Sequence, residues 1–307
     1  MPCIKRVAII GAGSLGASVA YALLMLNSAK EIILVDLSTG ILEGQVLDLF
    51  DAAYSTKTLV RSGTFQEAGQ SSIIIITADR PQGINETRKT WLQKSRKLIQ
   101  SIAVSMEPIH PKSLVVVAAD PVDVFVRYLY EKNHVGRSRV FGTNGTAAAT
   151  MRLQRWIADI TSTRSKNVVV YVVGSEEHPV VLWHSAKISG QPVRSLPILI
   201  DNRHMIPSIV SCEKRLKIKS LKGDACFGKG AHLARLVHDI LIHNTRTHIV
   251  TVYIQKVQTC LSIPVSLGRT GIQYILEPEL SPDEAGSIQV AVERSIKDYQ
   301  QSILNPQ

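Results

Sequence analysis

Aromatic side chains are scarce in this chain of 307 residues: Phe, Trp and Tyr together make up 5% of it. Aliphatic Val, Ile, Leu and Ala must therefore build the core, which suits buried parallel strands better than an aromatic-rich β-sandwich. Cysteine is sparse as well. Cys3, Cys212, Cys226 and Cys260 lie far apart without a Cys-x-x-Cys pair, so neither a zinc site nor a disulfide framework is signalled. No apolar run reaches the roughly eighteen residues that a spanning helix needs, which argues against a membrane. No signal sequence fits before Gly11, so a reducing, cytoplasmic setting is expected. Internal repeats and low-complexity linkers are missing too. Acids are in deficit, 25 Asp and Glu against 35 Lys and Arg, a formal net charge of +10. That excess invites an anionic partner: a cofactor, an acidic substrate or nucleic acid.

What is present is ordinary globular composition, 45% hydrophobic and 20% charged. The length exceeds the ~100–200 residues of one typical domain, so two domains or one large α/β domain are expected. Strand-length apolar runs alternate with helical spacing in the first half. Strands are expected at 6–10, 31–36, 72–77 and 113–118. Helices are expected from Ser18 to Leu24, from Gly40 to Ala53 (Leu42, Val46, Leu49 and Phe50 on one side), from Asn85 to Met106 with Glu86 early in it, and from Pro121 to Lys132. Such alternation implies right-handed crossovers and a parallel sheet. In the second half a helix is expected from Thr146 to Ile160 and a strand over 167–173. Mostly helical chain follows from Asp201 to Asn244 with a break near Gly223, then antiparallel strands over 252–263. Ser281 and Glu284 form a capping box opening a final helix.

The strongest local motif is Gly11-x-Gly13-x-x-Gly16, directly after a strand and opening a helix. Gly11 permits the tight turn, Gly13 lets backbone approach a pyrophosphate, and Gly16 allows close helix packing. The N–H groups of the helix start then face the phosphates. Asp36 ends the second strand, where a carboxylate accepts from both ribose hydroxyls and repels a 2′-phosphate. The reading is a dinucleotide site that favours NAD over NADP. A glycine turn that packs and binds nothing is the bland alternative.

With these residues in view, the chain resembles the lactate/malate dehydrogenase family over nearly its whole length. The resemblance is carried by the glycine loop, Asp36, the segments 44–49, 77–82, 86–88, 121–123, 139–142, 172–174 and 263–268, and Gly271. It implies an α/β fold: a Rossmann doubly wound parallel sheet (1–143) followed by a mixed α/β substrate domain (144–307). It also implies NAD as cofactor, at Gly11, Gly13, Ser14, Leu15, Gly16, Asp36, Thr77 and Ala78, a small-molecule substrate, and a homodimer or homotetramer. Arg88 matches the loop arginine that polarises the substrate carbonyl. Gln82 matches the specificity position of lactate-type enzymes, and Arg152 the arginine that clamps the substrate carboxylate.

The same comparison exposes losses. Glu176 stands where the family carries its proton-relay histidine, and Ala149 where the carboxylate orienting that histidine belongs. Asp120, Asp79, Ser95 and Ala225 replace the family's Asn, Gly, Asn and Thr. Histidine delivers a proton near neutral pH, whereas a carboxyl group does so only with a raised pKa. Asp120 and Glu176, facing one pocket, would share a proton by repulsion. His178 fills the role only on a rebuilt loop.

Three functions are compatible with these residues. One is the family reaction on a small carboxylate- or carbonyl-bearing metabolite. The second is a repurposed non-redox enzyme using Asp120, Glu176 or His178 for elimination, isomerisation or cyclisation. The third is a non-catalytic pseudo-dehydrogenase. The basic cluster Lys214, Arg215, Lys217, Lys219 and Lys222 reads as a solvated helix face, and without interleaved aromatics it argues against nucleic acid. No metal is expected: His243 and His248 lack a partner at ligand spacing, and adjacent Glu176, Glu177 and His178 make a poor chelate.

Overall fold

A computed structural model describes residues 5–132, 135–193, 197–211 and 213–303. Cys3 and Cys212 lie outside the described residues, while Cys226 and Cys260 are buried free thiols. In the first half β1 (Arg6–Ile10), α1 (Ser14–Met25), β2 (Glu31–Val35), α2 (Thr39–Ala52), β3 (Leu59–Ser62), α3 (Phe65–Gly69) and β4 (Ile73–Ile76) lead to α4 (Arg88–Ser105), β5 (Leu114–Val117), α5 (Val122–Lys132) and β6 (Val140–Gly142). In the second half α6 (Gly145–Ile160), β7 (Val168–Val169), β8 (Val172–Gly174), β9 (Pro179–Val181), β10 (Lys187–Ile188) and β11 (Gln191–Pro192) come first. They are followed by α7 (Pro197–Asp201), α8 (Ile206–Val210), α9 (Glu213–Lys222), α10 (Cys226–Leu241), β12 (Thr247–Ile254), β13 (Thr259–Gly268), β14 (Gly271–Ile275) and α11 (Pro282–Ile303).

The strands β3-β2-β1-β4-β5-β6 are parallel neighbours in that order. Chain order reverses direction between β1 and β4, and the crevice at the carboxyl ends of two such strands is where open α/β sheets take ligands. Side-chain alternation divides the strands between two cores. Val7, Ile9, Ile32 and Leu34 pack with α1 and α10, while Ala8, Ile10, Ile33 and Val35 pack with α4 and α5. Both faces being covered, β2 and β4 are buried at every position. The sheet continues antiparallel from β6 through β12 and β13 to β8 and β9, with β14 on β13. A smaller core of Leu153, Ile157, Val168 and Val172 lies behind α6.

Several expectations need correcting. β3 and α3 were not foreseen: β3 is a short edge strand with an exposed leucine, and α3 is a five-residue turn closed by a Thr64–Glu67 capping box. The run 167–173 is two strands in two sheets, β7 pairing with β10 and β8 with β13. Helix α4 begins at Arg88 because the Thr87 hydroxyl accepts from the Thr90 N–H at 3.2 Å. Glu86 therefore precedes the helix, ion-paired to Arg80 at 2.8 Å and Lys94 at 3.2 Å. Leu49 is buried on α2, but Phe50 is 63% exposed. The break at Gly223 is present, at φ +88°. The Ser281–Glu284 box forms reciprocally, at 2.8 and 3.3 Å.

Candidate functional site

The loop between β1 and α1 has the geometry its glycines imply. Gly11 takes φ +106°, and a Cβ there would lie 2.6 Å from the Ala78 nitrogen. A Cβ on Gly16 would lie 1.9 Å from the Gly11 carbonyl oxygen, so only glycine lets α1 start this close to the loop. Gly13 differs. A Cβ there would meet nothing within 4 Å, so the side that a larger residue would fill stays open. Gly13 and Ser14 are exposed. Helix α1 has neither a side-chain cap nor an acid in its first turn, which leaves its amide donors and positive end to a ligand. The Asp36 carboxylate accepts from the Ala12 N–H at 2.6 Å and the Ser38 N–H at 2.8 Å, with lone pairs to spare.

Thr77, Ala78 and Leu15 serve the loop from behind. The buried Thr77 hydroxyl approaches the Ile10 and Gly11 carbonyls at 3.0 and 2.8 Å. Ala78 backs Gly11, and Leu15 packs on the core. The loop, the helix start and Asp36 fit a dinucleotide without rearrangement of the glycines.

Two cavities lie beyond the carboxyl edge. The larger, about 500 Å³, is lined by Gln82, Arg88, Asp120 and Glu176 among others. The smaller, about 360 Å³, is lined by Arg152 and again by Glu176. Both volumes suit a metabolite. Asn144, Glu176 and Arg215 line both cavities and stand between them. Arg88 and Arg152, which the resemblance places on one substrate, thus face different cavities. His178 lines neither; its N–H donates to the Ser175 hydroxyl at 3.1 Å in the β8–β9 turn.

The wall between the cavities is an ion-pair network. Arg215 holds Glu176 at 2.6 Å and Asp120 at 3.3 Å, and Lys229 reaches Asp120 at 4.0 Å. Glu176 also accepts from the Gly145 N–H at 3.2 Å. Burial, then Asp120, raises the Glu176 carboxyl above its ordinary range. For Asp120 burial acts upward too, but Lys229 and Arg215 outweigh it and hold it low. Burial and repulsion thus work against the charge of Glu176, while the two nearby cations favour that of Asp120. Two further carboxyls in the larger cavity are raised. Asp79 is raised by burial and then Asp120. Asp123 is pushed to about 8 by burial and then Asp298. Asp123 has a buried oxygen without a hydrogen-bond partner.

Both arginines are partly engaged. Arg88 is forked onto Asp298 of α11 at 3.1 and 2.6 Å and reaches Glu177 at 2.6 Å. Burial opposes its charge, but Asp298 and Glu177 more than offset that and raise its pKa. Arg294 approaches the same two acids at 3.5 and 3.8 Å. Arg152 donates to the Ile209 and Ser211 carbonyls at 2.8 and 3.3 Å, and burial lowers its pKa. Gln82 donates to the Glu86 carbonyl at 2.8 Å.

Lys229, Asp123 and Asp298 were not singled out from the sequence, and Arg215 was read only as part of a solvated basic face. For Arg215 a signal existed: Lys214, Ile218 and Lys222 recur every four residues, so Ile218 marks an inward face that its charged neighbours share. Asp298 had none, because its partner lies 210 residues away. Among the described residues no group of three His, Cys, Asp or Glu could hold a metal.

Comparison with known proteins agrees with the geometry. The model of the lactate/malate dehydrogenase NAD-binding domain matches residues 5–142. L-lactate dehydrogenase A of Rhizopus oryzae is 36% identical over 290 residues, 94% of this chain and 90% of that protein. L-lactate dehydrogenase of Kosmotoga olearia is 29% identical over 322 residues, 98% of this chain and 99% of that one. A crystal structure of MGS-M5, a lactate dehydrogenase from a Medee basin deep-sea metagenome library, superposes with TM-score 0.91 at 23% identity, covering 98% and 99% of the two chains. The open Gly13 side, the Asp36 carboxylate and these likenesses lead to one conclusion: the chain is an NAD(H)-binding member of the lactate/malate dehydrogenase family.

Proposed function

We propose that this protein acts on a small metabolite with a carboxylate beside a carbonyl or hydroxyl carbon, and that its turnover of lactate, pyruvate, malate or oxaloacetate is weak or absent. Bound at the glycine loop and Asp36, NAD(H) would supply or accept the hydride. Arg152 is the candidate anchor for the carboxylate, through the Nη1 edge that its two backbone acceptors leave over. Arg88 is the candidate polarising group once it leaves Asp298.

The observation that carries the proposal is Glu176. It stands at the position of the relay histidine, and Arg215 grips it at 2.6 Å. Ala149, at the position of the orienting carboxylate, is buried and cannot accept a hydrogen bond. A positioned acid or base contributes about 10²–10⁴-fold, and a carboxyl group held by a guanidinium supplies little of that. Steady-state assays following NADH with pyruvate and oxaloacetate test this. Turnover well below about 1 per second is expected, and rates of about 1–1000 per second would overturn it.

A second reading has its own support. Asp120 and Glu176 are two carboxyls with opposed pKa shifts around one arginine, the separation that acid–base pairs use. Such a pair suits an elimination or isomerisation without net redox. Product analysis with NAD⁺ present but unconsumed would distinguish it.

The chain also fits a homodimer. Tyr21 and Met25 of α1 and Phe227 of α10 are exposed around one groove at 49–72%, more apolar surface than one scattered residue explains. Light scattering on Met25→Arg with Phe227→Arg tests this. A shift from dimer to monomer is expected; an unchanged dimer mass would exclude this face.

A further inference from the structure

Arg88 reaches a substrate only by leaving Asp298 and Glu177, and both acids then lose its charge. Asp298 is the deeper of the two, its side chain 13% exposed. A carboxylate stripped of its partner at such depth costs more than the lost contact, because the remaining charge is neither paired nor fully hydrated. Asp123 lines the same wall, and its carboxyl is already pushed to about 8 by burial and then by Asp298. Freeing Arg88 therefore needs another cation to answer Asp298.

The wall holds one. Arg294 lies four residues before Asp298 on α11, so the two side chains share a helix face. Its Nε stands 3.5 Å from Asp298 Oδ1, the oxygen that accepts from Arg88 Nε at 3.1 Å. Its Nη2 stands 3.8 Å from Glu177 Oε2, while Arg88 holds Glu177 Oε1 at 2.6 Å. Each acid thus has Arg88 at hydrogen-bond distance and Arg294 just beyond it. Among the described residues these two arginines are the only cations paired with either acid. The Arg294 Nε is buried without a hydrogen-bond partner, an unmade bond that contact with Asp298 would satisfy. A movement of about half an ångström brings it to ordinary hydrogen-bond length.

We infer that Arg294 is a positioning residue for Arg88: as Arg88 turns to a substrate, Arg294 closes onto Asp298 and Glu177 and takes up the charges that Arg88 leaves. Two acids and two arginines balance while Arg88 is docked, and Arg294 keeps the acids from being stranded when it is not. The inference rests on the proposed reading of Arg88 as the polarising group.

The test is a cycle of variants on the NADH-loaded protein, titrated with oxamate, which carries a carbonyl beside a carboxylate. Arg294→Met should weaken oxamate roughly fivefold in the parent. With Asp298→Asn and Glu177→Gln also present, no acid waits for Arg294, and the same substitution should change oxamate binding by less than about twofold. An equal loss in both backgrounds overturns the inference, because Arg294 then acts on the ligand's charge directly. Unchanged or tighter binding in Arg294→Met overturns it as well. Arg88→Ala separates the inference from the reading beneath it. If oxamate binds that variant as tightly as the parent, or binds neither, Arg88 is not the polarising group and the inference falls with it. If Arg88→Ala loses oxamate while Arg294→Met does not, the inference alone fails. Equal NADH affinity shows that each variant folds, and Arg294→Gln takes the place of a Met variant that does not, with the same outcomes expected.

Discussion

At the glycine loop, every residue that the resemblance singles out is present, and the reasons are steric. Gly16 has a backbone carbonyl where a Cβ would go, and Gly13 keeps open the space a Cβ would fill. At the recess around Glu176 several corresponding groups are changed, and Glu176 and Asp120 are bound to Arg215, while the matching Arg88 is held by Asp298 and Glu177. The two regions lie at the same edge of one sheet. A backbone turn around a pyrophosphate admits few substitutions, because no distant residue can remove a clash. A set of ionisable groups can be exchanged as long as each new charge finds a partner. That difference separates the cofactor loop, which keeps its geometry, from the proton relay, which we propose is changed.

Four experiments press on this contrast. The largest effect is expected at the loop. Gly16→Val should abolish NADH binding measured by fluorescence titration, with a loss beyond about 100-fold or of folding itself. Gly13→Ala should leave the melting temperature unchanged and still weaken NADH, because its methyl occupies the open side. Equal NADH affinity in Gly13→Ala and the parent would remove the loop from the account.

Next comes the relay. Glu176→His with Ala149→Asp should raise pyruvate reduction by roughly 100-fold, the lower end of what a positioned acid contributes. No gain would mean that Arg215 and Asp120 have reshaped the pocket as well as its acid.

A smaller effect is expected at the Arg88 tie. Asp298→Asn leaves Arg88 with Glu177 at 2.6 Å but removes the charge of its forked partner. Oxamate, used as a carboxylate probe on the NADH complex, should bind several-fold more tightly. Weaker binding would show that Asp298 positions Arg88 for the ligand and does not compete with it.

The last is a pH effect in the core, which acts on stability and leaves the site untouched. Burial, then His248, pushes the buried His232 down to about 4 from its ordinary 6.5. The folded chain keeps it neutral where the unfolded chain protonates it. Stability is therefore full above about 6.5 and is lost as pH falls from there toward 4, by up to about 3 kcal/mol. His232→Leu should flatten that limb in urea titrations at pH 7 and 5. An unaltered pH dependence would assign the loss to other groups.

The parallel half of the fold was legible because buried strands leave uninterrupted aliphatic runs: 73–76 is four isoleucines. The split at 167–173 was not, since Val169 and Val172 look alike and only their partners in two sheets separate them. Asp36 and the glycines could be read from spacing alone. Placing Arg88 and Arg152 in separate cavities needed the structure, because the Glu176–Arg215 pair between them joins residues 39 apart in sequence with no local signature. On α9 the charge pattern reads as a solvated face, and Lys214, Lys217, Lys219 and Lys222 are exposed, while the half-buried Arg215 turns to Glu176 and Asp120.

The central claim is that NADH binds while the family's proton relay is absent. A single-turnover experiment tests it directly: protein in excess over NADH, mixed rapidly with saturating pyruvate, with reduced nicotinamide absorbance followed in time. NADH is expected to be bound, as its quenched or shifted fluorescence shows, and to stay reduced for many seconds after mixing. Oxidation of the bound NADH within a second would contradict it.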